Sequence, residues 1–317
     1  MTPDPPTKIG ATMPRLEMPS LAIAGSERAQ RARRFLFLSV AAGLFLVILA
    51  AIVGPFTWGR NHIDVAGLIG LVAFLAAITV RTVRLRRRPD RVWSESRLLS
   101  EQVKSAAWRY AVGGIPYPLI IPSGEKTEVA LANDLHTLLE KARRAGVHLP
   151  LPELDPNLVT TSMRELRLQT LDCRRSVYLQ DRITKQYQYY YSKAKECDQR
   201  ANLWDDLLVG IEGVGVLLAL AKVLGLLEID LFGVVGIIIA AGTSWMQLNQ
   251  YASRAQSYGT TADELLRTIT LARLQDKEWT EEEWAGFVDT VETILGNEHL
   301  EWRAMRHAEE ASGGSLS

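Results

Sequence analysis

Twenty-two consecutive positions without a charge, "FLFLSVAAGLFLVILAAIVGPF" at residues 35–56, set the terms on which this chain folds. A helix rises about 1.5 Å per residue, so about 20 apolar residues cross the hydrocarbon core of a bilayer. A second run, "VAGLIGLVAFLAAITV", occupies residues 65–80 after the isolated Asp64. A third, "LLVGIEGVGVLLALAKVLGLL" at 207–227, is interrupted by Glu212 and Lys222, and a fourth, "LFGVVGIIIAAGTSWMQL", covers 231–248. Any one of the shorter runs is equally compatible with a buried core helix. The runs come in pairs, however, joined by "TWGRNHID" and "GLLEID", turns too short to hold a soluble domain. The first run is also too long for the apolar region of a secretory signal and begins only after 34 residues. The pattern predicts four spans, at about 35–56, 63–81, 207–227 and 230–248.

Lys and Arg near the membrane ends fix the expected orientation. Arg28, Arg31, Arg33 and Arg34 precede the first run, and Arg81, Arg84, Arg86, Arg87, Arg88 and Arg91 follow the second, whereas the first turn carries only Arg60. Lys193, Lys195 and Arg200 precede the third run, and the second turn carries Glu228 and Asp230. Both termini and the middle segment are expected in the cytoplasm, which makes this a multi-pass protein of the cytoplasmic (inner) membrane. Overall charge is balanced, but its distribution is not. Residues 82–202 hold 21 basic and 14 acidic groups, and residues 249–317 hold 6 basic and 13 acidic. That split can steer the two pieces together, or the basic piece towards anionic lipid; two solvated surfaces that never meet are the plain alternative. Nothing resembles a nucleic-acid-binding fold, so no nucleic-acid partner is expected.

The proline-bearing residues 1–34 read as a mobile cytoplasmic tail. "WSESRLLSEQVKSAAWRY" at 93–110 places Trp93, Arg97, Glu101, Lys104 and Trp108 on one face of a cytoplasmic helix expected over 90–112. Ion pairs along that face contribute a few tenths of a kcal/mol each, too little to explain two tryptophans, so the face reads as a packing or subunit interface. Pro116, Pro118 and Pro122 are expected to end this helix and force an extended stretch. Residues 121–158 form a linker whose short amphipathic helix carries Leu131, Leu135, Leu138 and Leu139 and stops at Gly146. A long helix over 162–206 is predicted from Ser162, with Glu165 completing a capping box, and should run unbroken into the third span. After the fourth span, Leu248, Tyr251, Ala255, Tyr258, Ala262, Leu265, Ile269 and Ala272 form a heptad seam within a helix over 249–275. Facing Tyr187, Tyr190 and their neighbours, it predicts an antiparallel, coiled-coil-like stalk. A last helix over 280–307 starts at Thr280, capped by Glu283, and buries Trp284, Phe287, Val291, Ile294 and Leu295, with 308–317 a disordered tail. The fold class is thus an all-α membrane protein: two transmembrane helical hairpins continued by cytoplasmic helices and a stalk.

Catalytic chemistry finds no support. His62, His136, His148, His299 and His307 are scattered, Cys173 and Cys197 stand 24 positions apart, and no triad, zinc motif or phosphate loop is present. No enzyme, cofactor or metal is expected. The glycines of "GIEGVGV" (210–216) read as close helix packing in a bilayer. Glu212 is the outstanding polar group: a charge inside a span costs about 2.5 kcal/mol or more and usually faces water or a partner. Thr243, Ser244 and Gln247 lie at a similar depth on the fourth span. Together these four are candidate pore-lining residues; snorkelling of Glu212, or its bond to Thr243, is the structural alternative. The candidate cytoplasmic interface comprises Trp93, Arg97, Glu101, Lys104, Trp108, Tyr187, Tyr190, Tyr251, Tyr258, Glu298, His299 and Trp302.

"WSESRLLSEQVKSAAWRY…IPY" resembles the stretch behind the membrane hairpin of one SLATT domain type. "YLQDRITKQYQYYYSKA", "YASRAQSYGTTADELL" and "VETILGNEHLEWRAMR" resemble a second type. The resemblance covers nearly all of 35–307 and places one module at 35–120 and another at 159–307. It implies a two-span module of bacterial conflict systems, proposed to form pores and found with nucleotide-generating or nucleotide-sensing partners. Two readings follow from the sequence. One is an effector that oligomerises into a regulated pore in the membrane in bacterial defence; the other is a non-conducting anchor or scaffold that recruits a cytoplasmic partner. Both have the lipid bilayer as a partner, and the first also needs a homo-oligomer.

Overall fold

The computed structural model describes residues 16–57, 59–60, 63–119, 124–149, 158–227, 231–274 and 278–313. It is all helical apart from a two-residue ribbon in the first turn, where Gly59–Arg60 (β1) pairs antiparallel with Ile63–Asp64 (β2). The helices are α1 (Ser20–Val53), α2 (Val65–Arg87), α3 (Pro89–Val112), α4 (Gly124–Arg144), α5 (Thr161–Arg167), α6 (Leu171–Val177), α7 (Lys185–Val223), α8 (Phe232–Asn249), α9 (Tyr251–Leu274) and α10 (Glu281–Gly313). A π-helical segment, Tyr178–Thr184, joins α6 to α7. Three stretches among the described residues are long and apolar enough to cross a membrane: Ser20–Val53, Val65–Val112 and Phe232–Leu274. The apolar end of α7, which carries Glu212 and Lys222, falls outside these three.

The chain folds the same way twice. In each half a long helix (α1, α7) runs from the polar core into the apolar region, a second helix (α2, α8) returns, and a 24-residue helix (α3, α9) packs beside the polar half of the first. In each half the return also breaks at one left-handed residue. Arg88 (φ 41°) stands between α2 and α3, and Gln250 (φ 49°) between α8 and α9. Each break keeps one helical bond, Arg88 N–H to Arg84 O at 3.0 Å and Gln250 N–H to Met246 O at 2.8 Å. The third helix of each half therefore sets off at a new angle while the helix before it keeps its last hydrogen bond.

The helix expected to begin near residue 35 starts fifteen positions earlier. Residues 20–34 are therefore the first turns of α1 rather than a tail, and residues 1–15 lie outside the described residues. A stripe of small residues, Ala22, Gly25, Ala29 and Ala32, lets α1 press on α3, where Ser96 and Ser100 are buried. The Ser100 hydroxyl donates to Ala22 O at 2.7 Å, and a Cβ on Gly25 would sit 3.3 Å from Ser100 Cβ. The predicted long helix from Ser162 is also divided. Thr160, not Ser162, caps α5 through Met163 N–H (3.3 Å), and Thr170 caps α6 through Cys173 N–H (3.4 Å). Ser162 instead accepts from Glu17 N–H at 2.9 Å and ties the first described residues to α5.

The predicted seam is present in α9: Tyr251, Tyr258, Ala262, Leu265, Ile269 and Ala272 are buried, and Tyr258 meets Tyr190 of α7 with ring centroids 5.8 Å apart. Thr280 and Glu283 cap α10 reciprocally, each side chain accepting the other's N–H at 3.2 Å. Trp284, Val288, Val291 and Leu295 then face the core.

Glycine, not proline, ends α3. Gly113 adopts φ +81°, and Pro116 and Pro118 behind it lie in a turn with a cis Ile115–Pro116 bond rather than in an extended strand, while Pro122 lies outside the described residues. A Cβ on Gly113 would lie 2.8 Å from Arg174 Nη1, and one on Gly114 would lie 2.5 Å from Val288 Cγ1. Gly114→Ala should cost about 1–3 kcal/mol by overpacking a buried contact. Gly210→Ala, where nothing stands within 4 Å, should be neutral or slightly stabilising. Thermal unfolding of both variants in detergent solution checks this, and equal shifts would contradict it.

Candidate functional site

Two regions carry polar groups that folding alone does not explain: the apolar ends of α7 and α8, and the core that joins the hairpins.

The four candidate pore residues do not form one cluster. Glu212 is exposed on α7 and, among the described residues, makes no hydrogen bond or ion pair. Thr243 and Gln247 instead line an open groove of about 760 Å³ with Asp205, Leu208 and Tyr251. Ser244 points the other way, towards a groove shared with α1 and α2. The Thr243 and Ser244 hydroxyls bond to carbonyls of their own helix, Ile239 O at 2.9 Å and Ala240 O at 2.8 Å, so Glu212 is not tied to Thr243. Asp205 is the carboxylate that shares the groove with Thr243 and Gln247. Sequence reasoning passed it over because it stands just before the apolar run, although it lies two helical turns, about 10 Å, below Glu212. Of the glycines at 210–216, Gly215 is buried against Val235, where a Cβ would stand 3.1 Å from Val235 Cγ1, while Gly210 and Gly213 are open.

The tryptophan face of α3 is consumed within the chain. Trp93 is 4% exposed and lies edge-on to Phe37 at 6.0 Å, with the guanidinium groups of Arg33 and Arg254 over its ring at 5.6 and 5.8 Å. Phe37 in turn meets Trp245 of α8 at 5.8 Å, so the two hairpins touch through these aromatics. Trp108 packs on Tyr178 of the π-helical segment at 5.7 Å, and Glu101 pairs with Lys104 at 2.9 Å. Arg97 is half-buried between them. Tyr187 stacks on Tyr191 (6.1 Å), while Tyr190, Tyr251 and Tyr258 lie in the α7–α9 contact. These residues therefore pack one chain internally. The side chains of Glu298, His299 and Trp302 lie outside the described residues.

The core unites the basic and acidic pieces. Arg109 pairs with Asp289, Arg174 with Glu281, and Arg182 with Glu292. The last is fully enclosed. Arg182 Nε and Nη2 reach the two Glu292 oxygens at 2.9 and 2.8 Å, and the Tyr178 hydroxyl donates to Oε1 at 2.9 Å. Burial disfavours the Arg182 cation, yet the Glu292 carboxylate outweighs this and raises its pKa above the ordinary arginine value. Burial and the same carboxylate push the Tyr178 phenol well above its usual value, so it stays protonated and donates. Above this pair opens a cavity of about 270 Å³, bounded by Glu101, Ser105 and Arg109 of α3, Leu138 of α4, Gln186 and Tyr190 of α7 and Leu295 of α10. On the flank, the Tyr110 hydroxyl and Arg164 both donate to Glu128, at 3.1 Å and at 3.0 and 3.1 Å. Burial and the Glu128 charge raise the Tyr110 pKa to about 12. Among the described residues no group of three or more His, Cys, Asp or Glu side chains is placed to hold a metal.

Residues 19–175 match the family described as SMODS and SLOG-associating 2TM effector domain 3, and residues 178–302 match effector domain 1. This chain is a tandem SLATT protein. Its two halves are two-span effector domains of different type, and the change from one to the other falls at the π-helical segment, where Tyr178 begins the second match. The first SLATT domain thus takes in α1 from its first turn and runs through α6, including the residues expected to form the linker. No curated protein and no solved structure matches the chain.

Removing one partner of an enclosed ion pair leaves a buried charge and costs about 3–5 kcal/mol. Glu292→Leu should lower stability by that amount, whereas Arg182→Met combined with Glu292→Leu should recover most of it. Thermal melts of the purified chain read the difference, and a double variant no better than the single one would contradict the pairing.

Proposed function

We propose that this tandem SLATT protein is a membrane effector that assembles with further copies of itself into a regulated pore. Its two SLATT domains supply four spans, it sits in the cytoplasmic membrane with both termini inside, and the lipid bilayer is its target. It works without catalysis. The observation that carries this reading is the state of Glu212. A carboxylate in an apolar stretch, exposed and with no partner among the described residues of its own chain, belongs against water or another subunit rather than lipid. Four spans are too few for an obvious conduit, so the water path needs several copies. The groove bearing Asp205, Thr243 and Gln247 continues the polar track towards the core end of α7 and α8.

Regulation follows from connectivity. α1 and α7 run without interruption from the packed core into the apolar region, so a tilt imposed in the core moves a span. The family's association with SMODS and SLOG proteins favours a nucleotide signal, made or sensed by a partner, as the input to that core. A non-conducting anchor that recruits such a partner is the second reading, favoured by the large share of the chain devoted to the core.

Expression of the intact chain in bacteria should collapse the membrane potential and admit small dyes. Glu212→Leu should reduce dye entry several-fold at equal membrane abundance, and truncation after residue 248 should abolish regulated entry. Depolarisation unaffected by Glu212→Leu would remove Glu212 from the path, and an intact potential even with the activating partner co-expressed would favour the anchor.

A further inference from the structure

Beside the proposed pore surface, a second groove of about 540 Å³ runs between α1, α2 and α8. Its floor is apolar and open: Gly43 of α1 has nothing within 4 Å of where a Cβ would stand, Phe74 and Ile78 of α2 are 53% and 59% exposed, and Leu248 of α8 closes one side. At its arginine-bearing end the lining changes character. Arg81 and Arg84, one helical turn apart on α2, both border the groove. Neither makes an ion pair or side-chain hydrogen bond with a described residue, and of the charges that act on Arg84, the like charge of Arg81 weighs more than the opposing Asp90. Two like charges held together at the edge of an apolar trough, neither ion-paired to a described residue and with Asp90 acting more weakly on Arg84 than Arg81 does, are matched by an anion attached to hydrocarbon.

We infer that this groove is a binding site for an anionic phospholipid, with the phosphate between Arg81 and Arg84 and one acyl chain laid along Gly43, Phe74 and Ile78. The site needs both halves. Basic groups near a membrane surface attract anionic headgroups by about fivefold per charge, so the pair contributes roughly 25-fold over a zwitterionic lipid. The trough adds retention through apolar burial and shape. Because α8 of the second SLATT domain forms one wall while α1 and α2 of the first form the others, a lipid seated here touches both domains at the level of the bilayer. The inference depends on membrane insertion, not on pore formation, and holds equally for an anchor.

Native mass spectrometry of the full-length protein in detergent, titrated with phosphatidylglycerol or with phosphatidylcholine of the same acyl chains, tests it. One phosphatidylglycerol should be retained per chain, at least tenfold more tightly than phosphatidylcholine. Arg81→Gln with Arg84→Gln should erase that preference, and Arg81→Lys with Arg84→Lys should keep it. Arg86→Gln with Arg91→Gln removes the same charge from exposed positions outside the groove and should leave retention unchanged. Gly43→Leu, which fills the trough, should weaken both lipids alike. Equal retention of the two lipids by the unmodified chain would overturn the site. So would equal losses in the two Gln pairs, which would reduce the effect to diffuse charge. Competition by glycerophosphoglycerol or inorganic phosphate as effective as by the lipid would replace it with a simple anion site.

Discussion

The carboxyl end of α3 is buried, and the molecule is arranged around satisfying it. A helix ends with carbonyls that have no partner of their own and with the negative pole of its dipole. Here Tyr110 O accepts from Arg167 (2.6 Å), and Val112 O accepts from both Arg174 (2.6 Å) and the Trp284 indole (2.8 Å). Two guanidinium groups, 6% and 1% exposed, thus meet the pole of the dipole, and each charge-assisted bond is worth about 1.5–3 kcal/mol. Arg167 comes from α5, Arg174 from α6 and Trp284 from α10, so this one helix end fixes the placement of three other elements. The Arg174–Glu281 and Arg182–Glu292 pairs then carry the constraint from α10 to the foot of α7. From there the chain is continuous helix into the apolar region.

The doubled architecture follows from what a bilayer tolerates. Inside hydrocarbon every backbone group must be bonded within its own helix, so a change of direction belongs where protein or water can take up the loose ends. Both halves place it at the same point, a left-handed residue directly before a 24-residue core helix. The halves differ in where they pack most closely. In the first it is α1 on α3, through Gly25 and Ser100, and in the second α8 on α7, through Gly242, whose added Cβ would stand 2.7 Å from Leu208 Cδ2. The two SLATT domains of this chain therefore share one frame but differ in polarity: residues 35–56 of the first carry no charge, whereas α7 of the second carries Glu212 and Lys222 within its apolar run and Asp205 just before it.

Much of this was legible in the sequence because it rests on short-range rules. Apolar run length gave the hairpins, the three-and-four spacing from Tyr251 to Ala272 gave the α9 seam, and Thr280 with Glu283 gave the start of α10. The errors have physical causes as well. The first turns of α1 pack through Ala22, Gly25, Ala29 and Ala32, and small residues among arginines leave almost no hydropathy signal. The division of the helix expected from Ser162 depends on Thr160 and Thr170 winning their N–H groups from an alternative cap. The π-helical segment is held by a Thr184 hydroxyl that donates to Leu179 O five residues back, a bond no periodicity displays. Trp93 and Trp108 were recognised as contact residues, but spacing alone does not say whether the contact lies within one chain or between two. The buried arginines were hidden for a related reason: 167, 174 and 182 are unremarkable in a basic stretch until the acidic helix that answers them is in place.

The account stands on α7 crossing the bilayer despite Glu212 and Lys222, which makes two complete hairpins with both tips on one side and the core on the other. Single cysteines placed in a background lacking Cys173 and Cys197, and probed in intact cells with a membrane-impermeant maleimide, measure this directly. Thr57→Cys and Leu226→Cys should both label from outside, while Gln169→Cys and Arg267→Cys should label only after the membrane is opened. Labelling at position 57 with protection at position 226 would contradict four crossings, leave α7 on the core side, and remove the second hairpin from the bilayer.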